Sequence, residues 1–124
     1  VCGKVCVLTG FRKVEAWEVE PIFKDIGLRI TWATILEIGN TKLYDNDTKI
    51  LNYYISTGIC VINSISINDD TFPKSMLKDI KTLIKQHKKV IIASKVASIG
   101  KYLSSLGFRY NTENRYYYKG ISWE

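Results

Sequence analysis

The chain has 124 residues, 46% of them hydrophobic, which suits one domain with a core of its own. Its formal net charge of +6 at pH 7 leaves open either a solvated basic surface or an acidic partner, and the lack of any run of about 18 apolar residues excludes a membrane-spanning helix. The three cysteines, Cys2, Cys6 and Cys60, lack the spacing and histidine partners of a zinc site, so no metal is predicted. Reduced thiols and the absence of a visible signal peptide predict a cytoplasmic protein.

The N-terminal part of the chain predicts a strand followed by a short helix. Residues 4–11 form the predicted strand. Residues 12–27 carry the helix, with Pro21 near its start and Gly27 as the residue that ends it.

Two further strands and a hairpin turn are predicted before residue 59. Residues 30–38 alternate with a period of two, which is typical of a half-buried strand. The residues on one side of that strand are Ile30, Trp32, Thr34, Leu36 and Ile38. Residues 39–40 indicate a turn, followed by a weak strand that ends at Tyr44. Residues 50–56 predict the next strand, and residues 57–58 predict a tight turn after it.

A strand, a helix and a second strand follow, and they form the centre of the predicted fold. Residues 59–67 alternate with a period of two and are rich in β-branched residues, and the polar Asn63 interrupts the face that carries Ile59, Val61, Ile65 and Ile67. The helix has Pro73 in its first turn, after residues 68–71 that offer capping side chains. Residues 90–93 are an unbroken apolar run, typical of a strand buried on both faces. A crossover through a helix makes the two strands parallel.

The helix of this crossover is amphipathic. Its apolar positions recur at helical spacing: Met76, Leu77, Ile80, Leu83 and Ile84. Lysines take other, outward positions and continue past the helix end: Lys74, Lys78, Lys81, Lys85, Lys88 and Lys89. Two interpretations of these lysines remain open, a solvated helix face and a surface for nucleic acid or another acidic partner.

The C-terminal part predicts a short helix and a closing hairpin. The helix contains Ile99 and Leu103, and Gly107 ends it in the left-handed conformation. Residues 108–110 and 115–121 pair as the hairpin. The fold class predicted from this order is α/β, a single-domain mixed sheet with helices on both faces.

The segment from Lys89 to Tyr110, with its Leu-Gly-Phe sequence before an aromatic hairpin, resembles the GCN5-related N-acetyltransferase (GNAT) superfamily. The resemblance implies that the strands at residues 59–67 and 90–93 splay apart and hold acetyl-CoA between them. It implies cofactor contacts at Asn63, Ser64 and Ile65, and also at Ser94, the residue nearest to the asparagine often found after the second strand.

Two further positions depart from the pattern of that family. The phosphate loop at residues 68–74 has no glycine, which leaves Lys74 as the residue that favours an anion. The position of the family's general-acid tyrosine is Leu103, with Tyr102 one residue away. Tyr102 is therefore either a general acid or a packing residue. Glu37 is either a base that faces the substrate groove or an exposed residue.

Two functions follow as expectations. The first is an acyltransferase that moves an acyl group from acyl-CoA to an amine. The alternative is a non-catalytic GNAT-like module with a binding or structural role, with nucleic acid as one partner. The Lys, Ile, Asn and Tyr content is typical of AT-rich genomes, phages included. Some phage proteins that resemble degenerate acetyltransferases serve virion or host-interaction roles, and others modify DNA bases. For a phage protein, the predicted location is the host cytoplasm.

Overall fold

The computed structural model describes residues 10–19, 26–45, 48–66, 72–94 and 99–120. In chain order the elements of these residues are α1 (Ala16–Val19), α2 (Ile26–Ile38), β1 (Asn40–Tyr44), β2 (Lys49–Ser56), β3 (Ile59–Ser66), α3 (Lys74–Gln86), β4 (Val90–Ser94), α4 (Ile99–Ser105), β5 (Arg109–Asn111) and β6 (Tyr116–Lys119).

The strands form one mixed sheet in the order β1-β2-β3-β4-β6-β5. Strands β3 and β4 are parallel, and the other neighbours are antiparallel. The tight turn between β2 and β3 has positive φ at both Thr57 and Gly58, as a two-residue hairpin turn of type I′ requires. The predicted parallel crossover and the closing hairpin are both confirmed.

The sheet separates two hydrophobic cores. Successive residues of a strand point to opposite faces, so Ile50 and Leu51 belong to different cores. Helices α3 and α4 cover one face, where Leu51 packs with residues such as Ile80 and Leu103. Helix α2 covers part of the other face, where Trp32 packs with Ile50. The prediction of an α/β fold with helices on both faces is therefore confirmed.

Helix α3 forms as its pattern predicts. Met76, Ile80 and Leu83 are fully buried and form its inner face. Pro73 is the N-cap, with φ −61° and ψ 150°, and no side chain caps the helix there. The capping candidates at residues 68–71 lie outside the described residues.

The prediction of a strand at residues 30–38 is wrong, because these residues lie in α2. Trp32 and Leu36, four residues apart, are 4% and 3% exposed and face the sheet from one side of the helix. Ile38, which a strand would place on the same face, is 50% exposed. Burial of the Trp32 face against β2 outweighs the β-branched preference for strands.

The helix predicted in residues 12–27 is also corrected. The described part of it is the four-residue α1, and Gly27 is the second residue of α2 and not a helix end. Most of the predicted strand at residues 4–11 lies outside the described residues. A bridge of two hydrogen bonds joins Arg12 to Thr41 on the edge strand β1.

The end of α4 agrees with its prediction. Gly107 has φ 91°, the left-handed conformation, and the Phe108 N–H donates to the Leu103 carbonyl oxygen at 3.1 Å. This closes the helix as a glycine C-terminal motif does. None of the helices in the described ranges is long and apolar enough to cross a membrane.

Candidate functional site

Strands β3 and β4 are paired along the whole of β4. The parallel register runs from Cys60 opposite Val90 to Ser64 opposite Ser94. The predicted gap between the two strands at Asn63 is therefore absent. The physical reason is that the register from Cys60 to Ser64 contains no bulge or unpaired residue, so the backbone groups of both strands satisfy each other in the parallel ladder.

Most residues predicted to contact the cofactor are buried in the sheet. Asn63 and Ser64 pair with β2 on one side and β4 on the other, and they are 9% and 1% exposed. Ile65 lies one residue beyond the described parallel pairing, but its side chain is 3% exposed and packs in the α2 core. Ser94 is the last residue of β4. The paired backbone of Asn63 and Ser64 therefore offers no free hydrogen-bonding edge to a pantetheine arm.

Tyr102 lies on α4 against α3. Its hydroxyl donates to the Leu77 carbonyl oxygen at 3.5 Å, and burial raises the pKa of the phenol. The neighbouring Leu103, at the position of the family's tyrosine, is fully buried in the core. These contacts favour the packing interpretation of Tyr102.

Glu37 lies on α2, on the opposite face of the sheet from Tyr102. It is exposed and lines a shallow cleft of about 600 Å³. The residues that line this cleft are Lys13, Val14, Glu15, Ala33, Leu36 and Glu37. The Lys13 ammonium donates to the Glu37 backbone oxygen at 3.4 Å across it. Glu37 and Tyr102 therefore do not form one catalytic site.

The lysines of α3 form one straight row on its outer surface. The lysine row consists of Lys74, Lys78, Lys81 and Lys85, all exposed. Their spacings of four, three and four residues place them within an arc of about 60°. This arc lies opposite the face that carries the buried Met76. The exposed Lys88 and Lys89 continue the positive charge past the helix end.

The single acidic residue of α3, Asp79, is turned away from the lysine row. Its Oδ2 accepts a hydrogen bond from the Tyr44 hydroxyl at 2.5 Å and lies 3.0 Å from the Lys42 ammonium. Burial, together with the Asp79 carboxylate, raises the pKa of Tyr44. This cluster ties α3 to β1, and it leaves the row without a competing carboxylate on its own helix. Sequence reasoning missed it because its members are 35 and 37 residues apart along the chain.

Asn52 and Asn63 form a second buried polar pair, of which the sequence analysis singled out only Asn63. They lie opposite each other in the β2–β3 register, on the sheet face that α2 covers. The Asn52 Nδ2 donates to Thr41 Oγ1 at 2.8 Å and to the Ile35 carbonyl oxygen at 3.2 Å. The buried Asn52 Oδ1 and Asn63 Nδ2 atoms have no hydrogen-bond partner among the residues that the structure describes. Asn63 is thus a buried polar interruption, but not an open position of the ladder.

The remaining side chains bear on two kinds of chemistry, metal binding and nucleophilic attack by a cysteine. The described residues contain no group of three or more metal-binding side chains. Cys60 is a buried free thiol, and burial raises its pKa to about 12, so it is a poor nucleophile near neutral pH. Cys2 and Cys6 lie outside the described residues.

Comparisons of the chain with protein-family models, with curated proteins and with solved structures found no match.

Proposed function

We propose that this protein is a non-catalytic, GNAT-like binding module that docks an anionic polymer on the lysine row of α3. The observation that carries the proposal is the alignment of four exposed lysines on the surface opposite the buried face of one helix. Such an array releases condensed counterions when it meets a chain of negative charges, and that release drives binding.

The rigidity of α3 supports this proposal. Its inner residues Met76, Ile80 and Leu83 are all 0% exposed, so the helix is fixed in orientation on the sheet. The Asp79 carboxylate is engaged by Lys42 and Tyr44. The lysine side chains can therefore reach an anion without an acidic neighbour on α3 to repel it.

The arrangement of the predicted catalytic residues favours binding over catalysis. Tyr102 and Glu37 lie on opposite faces of the sheet, and the backbone of Asn63 and Ser64 belongs to a paired ladder. General acid–base catalysis requires both groups within hydrogen-bond reach of one reacting centre. No single substrate can meet both side chains across the sheet.

Charge-removing variants test the proposal by fluorescence anisotropy against labelled heparin, polyglutamate and DNA. We expect Lys78→Gln/Lys81→Gln to weaken binding to the preferred polymer about tenfold at low salt, because two charge contacts are lost. The matched control is Lys13→Gln/Arg109→Gln, which removes the same charge away from α3 and should change affinity less than about twofold. Equal losses in the two variants would show that only net charge matters and would overturn the proposal.

A second candidate function is acyl transfer from acetyl-CoA to an amine acceptor. It is favoured by the element order from Ile59 to Lys119, in which a parallel pair is connected by α3 and followed by α4 and a hairpin. Ile65 and Lys74 are then the remaining candidate contacts, near the ends of β3 and α3. Titration calorimetry with millimolar acetyl-CoA tests it, and the absence of both heat and a thermal shift would reject it.

A further inference from the structure

We infer that the anionic polymer is a nucleic acid duplex, held through its phosphates without reading of base sequence. This inference rests on the proposed function of the lysine row. It adds the class of polymer and the mode of contact, and both come from the side chains in and beside the row.

The length of the row suits a densely charged polymer. Lys74 and Lys85 are eleven residues apart, which is about 16 Å along the helix axis. A DNA duplex carries one negative charge per about 1.7 Å of its axis, so about ten phosphates span this distance. Four ammonium groups in one line therefore all find a phosphate within reach, and Lys88 and Lys89 extend the contact beyond the helix end.

The residue types in the row favour phosphate contacts over base contacts. All four members are lysines, which bind phosphate as flexible point charges, and none is an arginine, whose rigid planar guanidinium is better suited to bidentate recognition. The Thr82 hydroxyl, beside the row, is occupied because it donates to the Lys78 carbonyl oxygen at 3.0 Å. The exposed arc thus offers charge, but few groups that discriminate between base pairs.

The absence of exposed aromatic residues on α3 argues against a single strand. The helix sequence KSMLKDIKTLIKQ contains no aromatic residue. Proteins that hold single strands combine a positive groove with aromatic side chains on which bases stack. Without such a platform, a single strand gains less from this surface than a duplex, whose charge density is about twofold higher.

The closing experiment measures binding of the full chain to 20-base-pair DNA duplexes between about 50 and 200 mM salt. Two duplexes of unrelated sequence should bind within about twofold of each other, and the corresponding single strand should bind more weakly. For four to six phosphate contacts, the slope of log K against log salt should lie between about −3.6 and −5.4. Lys78→Gln/Lys81→Gln should make it less steep by about 1.8, and Lys78→Arg/Lys81→Arg should leave it unchanged.

The outcomes separate this inference from the proposed function. If heparin or polyglutamate binds as tightly as the duplex and depends equally on Lys78 and Lys81, the docking function survives and the nucleic acid assignment is overturned. Tighter binding to the single strand, or a more than tenfold preference between the two duplexes, also overturns the inference alone. No binding to any of these polymers at 50 mM salt overturns both.

Discussion

At the scale of single residues, the Asn52–Asn63 pair offers a direct test of how buried polar atoms affect this sheet. The Asn63 Nδ2 atom is buried without an acceptor, and such a group destabilises a folded protein by about 1–3 kcal/mol. We expect Asn63→Val, which removes this donor and suits a strand, to raise the free energy of unfolding by about 1 kcal/mol. Urea denaturation monitored by circular dichroism measures it.

Asn52→Val is the control, because it removes the donor to Thr41 and to the Ile35 carbonyl oxygen. We expect it to lower the free energy of unfolding by about 1–3 kcal/mol. If Asn63→Val destabilises the protein as much as Asn52→Val, then the Asn63 amide is hydrogen-bonded in solution, for example to an internal water.

Tyr44 provides a second prediction, on pH dependence. Burial and the Asp79 carboxylate raise the pKa of its phenol above its ordinary value of about 10, so the folded state favours the neutral form. The associated stability is fully present below the unfolded pKa and decreases as pH rises above about 10. Cys60, with a pKa raised from 9.0 to about 12, adds a loss between those two values.

The variant Tyr44→Phe tests this pH dependence. At pH 7 it should lower the free energy of unfolding by about 1.5–3 kcal/mol, through loss of a hydrogen bond to a carboxylate. It should also reduce the fall in stability above pH 10, measured by urea denaturation at several pH values. Tyr110→Phe is the control, because Tyr110 is 48% exposed. An unchanged alkaline fall in Tyr44→Phe would contradict the assignment to Tyr44.

At the scale of elements, the sequence predicts those segments whose periodicity admits one interpretation. In α3, Met76, Ile80 and Leu83 recur at helical spacing and fit no strand. Residues 30–38 satisfy both periods, because Trp32 and Leu36 lie on one side of a strand and also on one face of a helix. The choice between them depends on packing against β2, which the local sequence does not contain.

In the candidate site, too, the sequence predicts what depends on one element and not what depends on packing between elements. Exposure of the lysine row could be predicted, because the row depends only on spacing within one helix. The engagement of Asp79 by Tyr44 could not, because it depends on how α3 lies across β1. The gap predicted at Asn63 came from a resemblance to a family, and the polar residue there proved compatible with a closed ladder.

Two glycines with positive φ allow the cost of an unfavourable backbone conformation to be separated from the cost of a steric clash. Gly58, with φ 79°, lies in the β2–β3 turn with open space around its Cα, so Gly58→Ala should cost about 1 kcal/mol of stability. Gly120, with φ 77°, follows β6, and a Cβ there would overlap the Lys88 carbonyl oxygen. We expect Gly120→Ala to cost more than about 3 kcal/mol by urea denaturation, since backbone must move as well.

Similar losses for the two alanine variants would show that Gly120 does not lie against Lys88 in solution. A large loss of stability at Gly120 alone would confirm that Gly120 packs against Lys88 in the turn before β4. It would also show that the position of Lys88, beside the lysine row, depends on the closing hairpin.

At the scale of the whole molecule, the two cores are coupled through the strands they share. Strand β2 gives Leu51 to the α3 side and Ile50 to the α2 side, and β3 gives Ile62 and Ile65 in the same way. Neither core can lose its strands without exposing the other. We therefore expect the lysine row on α3 and the cleft beside α2 to belong to one cooperative unit, although they face opposite directions.

This coupling can be measured with Trp32, which is 4% exposed and reports on the α2 core. In a Trp17→Phe/Trp123→Phe background, Leu83→Ala removes a buried side chain of α3 and should lower the free energy of unfolding by about 2–5 kcal/mol. Because the strands are shared, Trp32 fluorescence and far-ultraviolet circular dichroism should record the same lowered midpoint. Leu36→Ala, in the α2 core, should also shift both signals together. A Trp32 transition that Leu83→Ala leaves in place would mean that the two cores unfold separately.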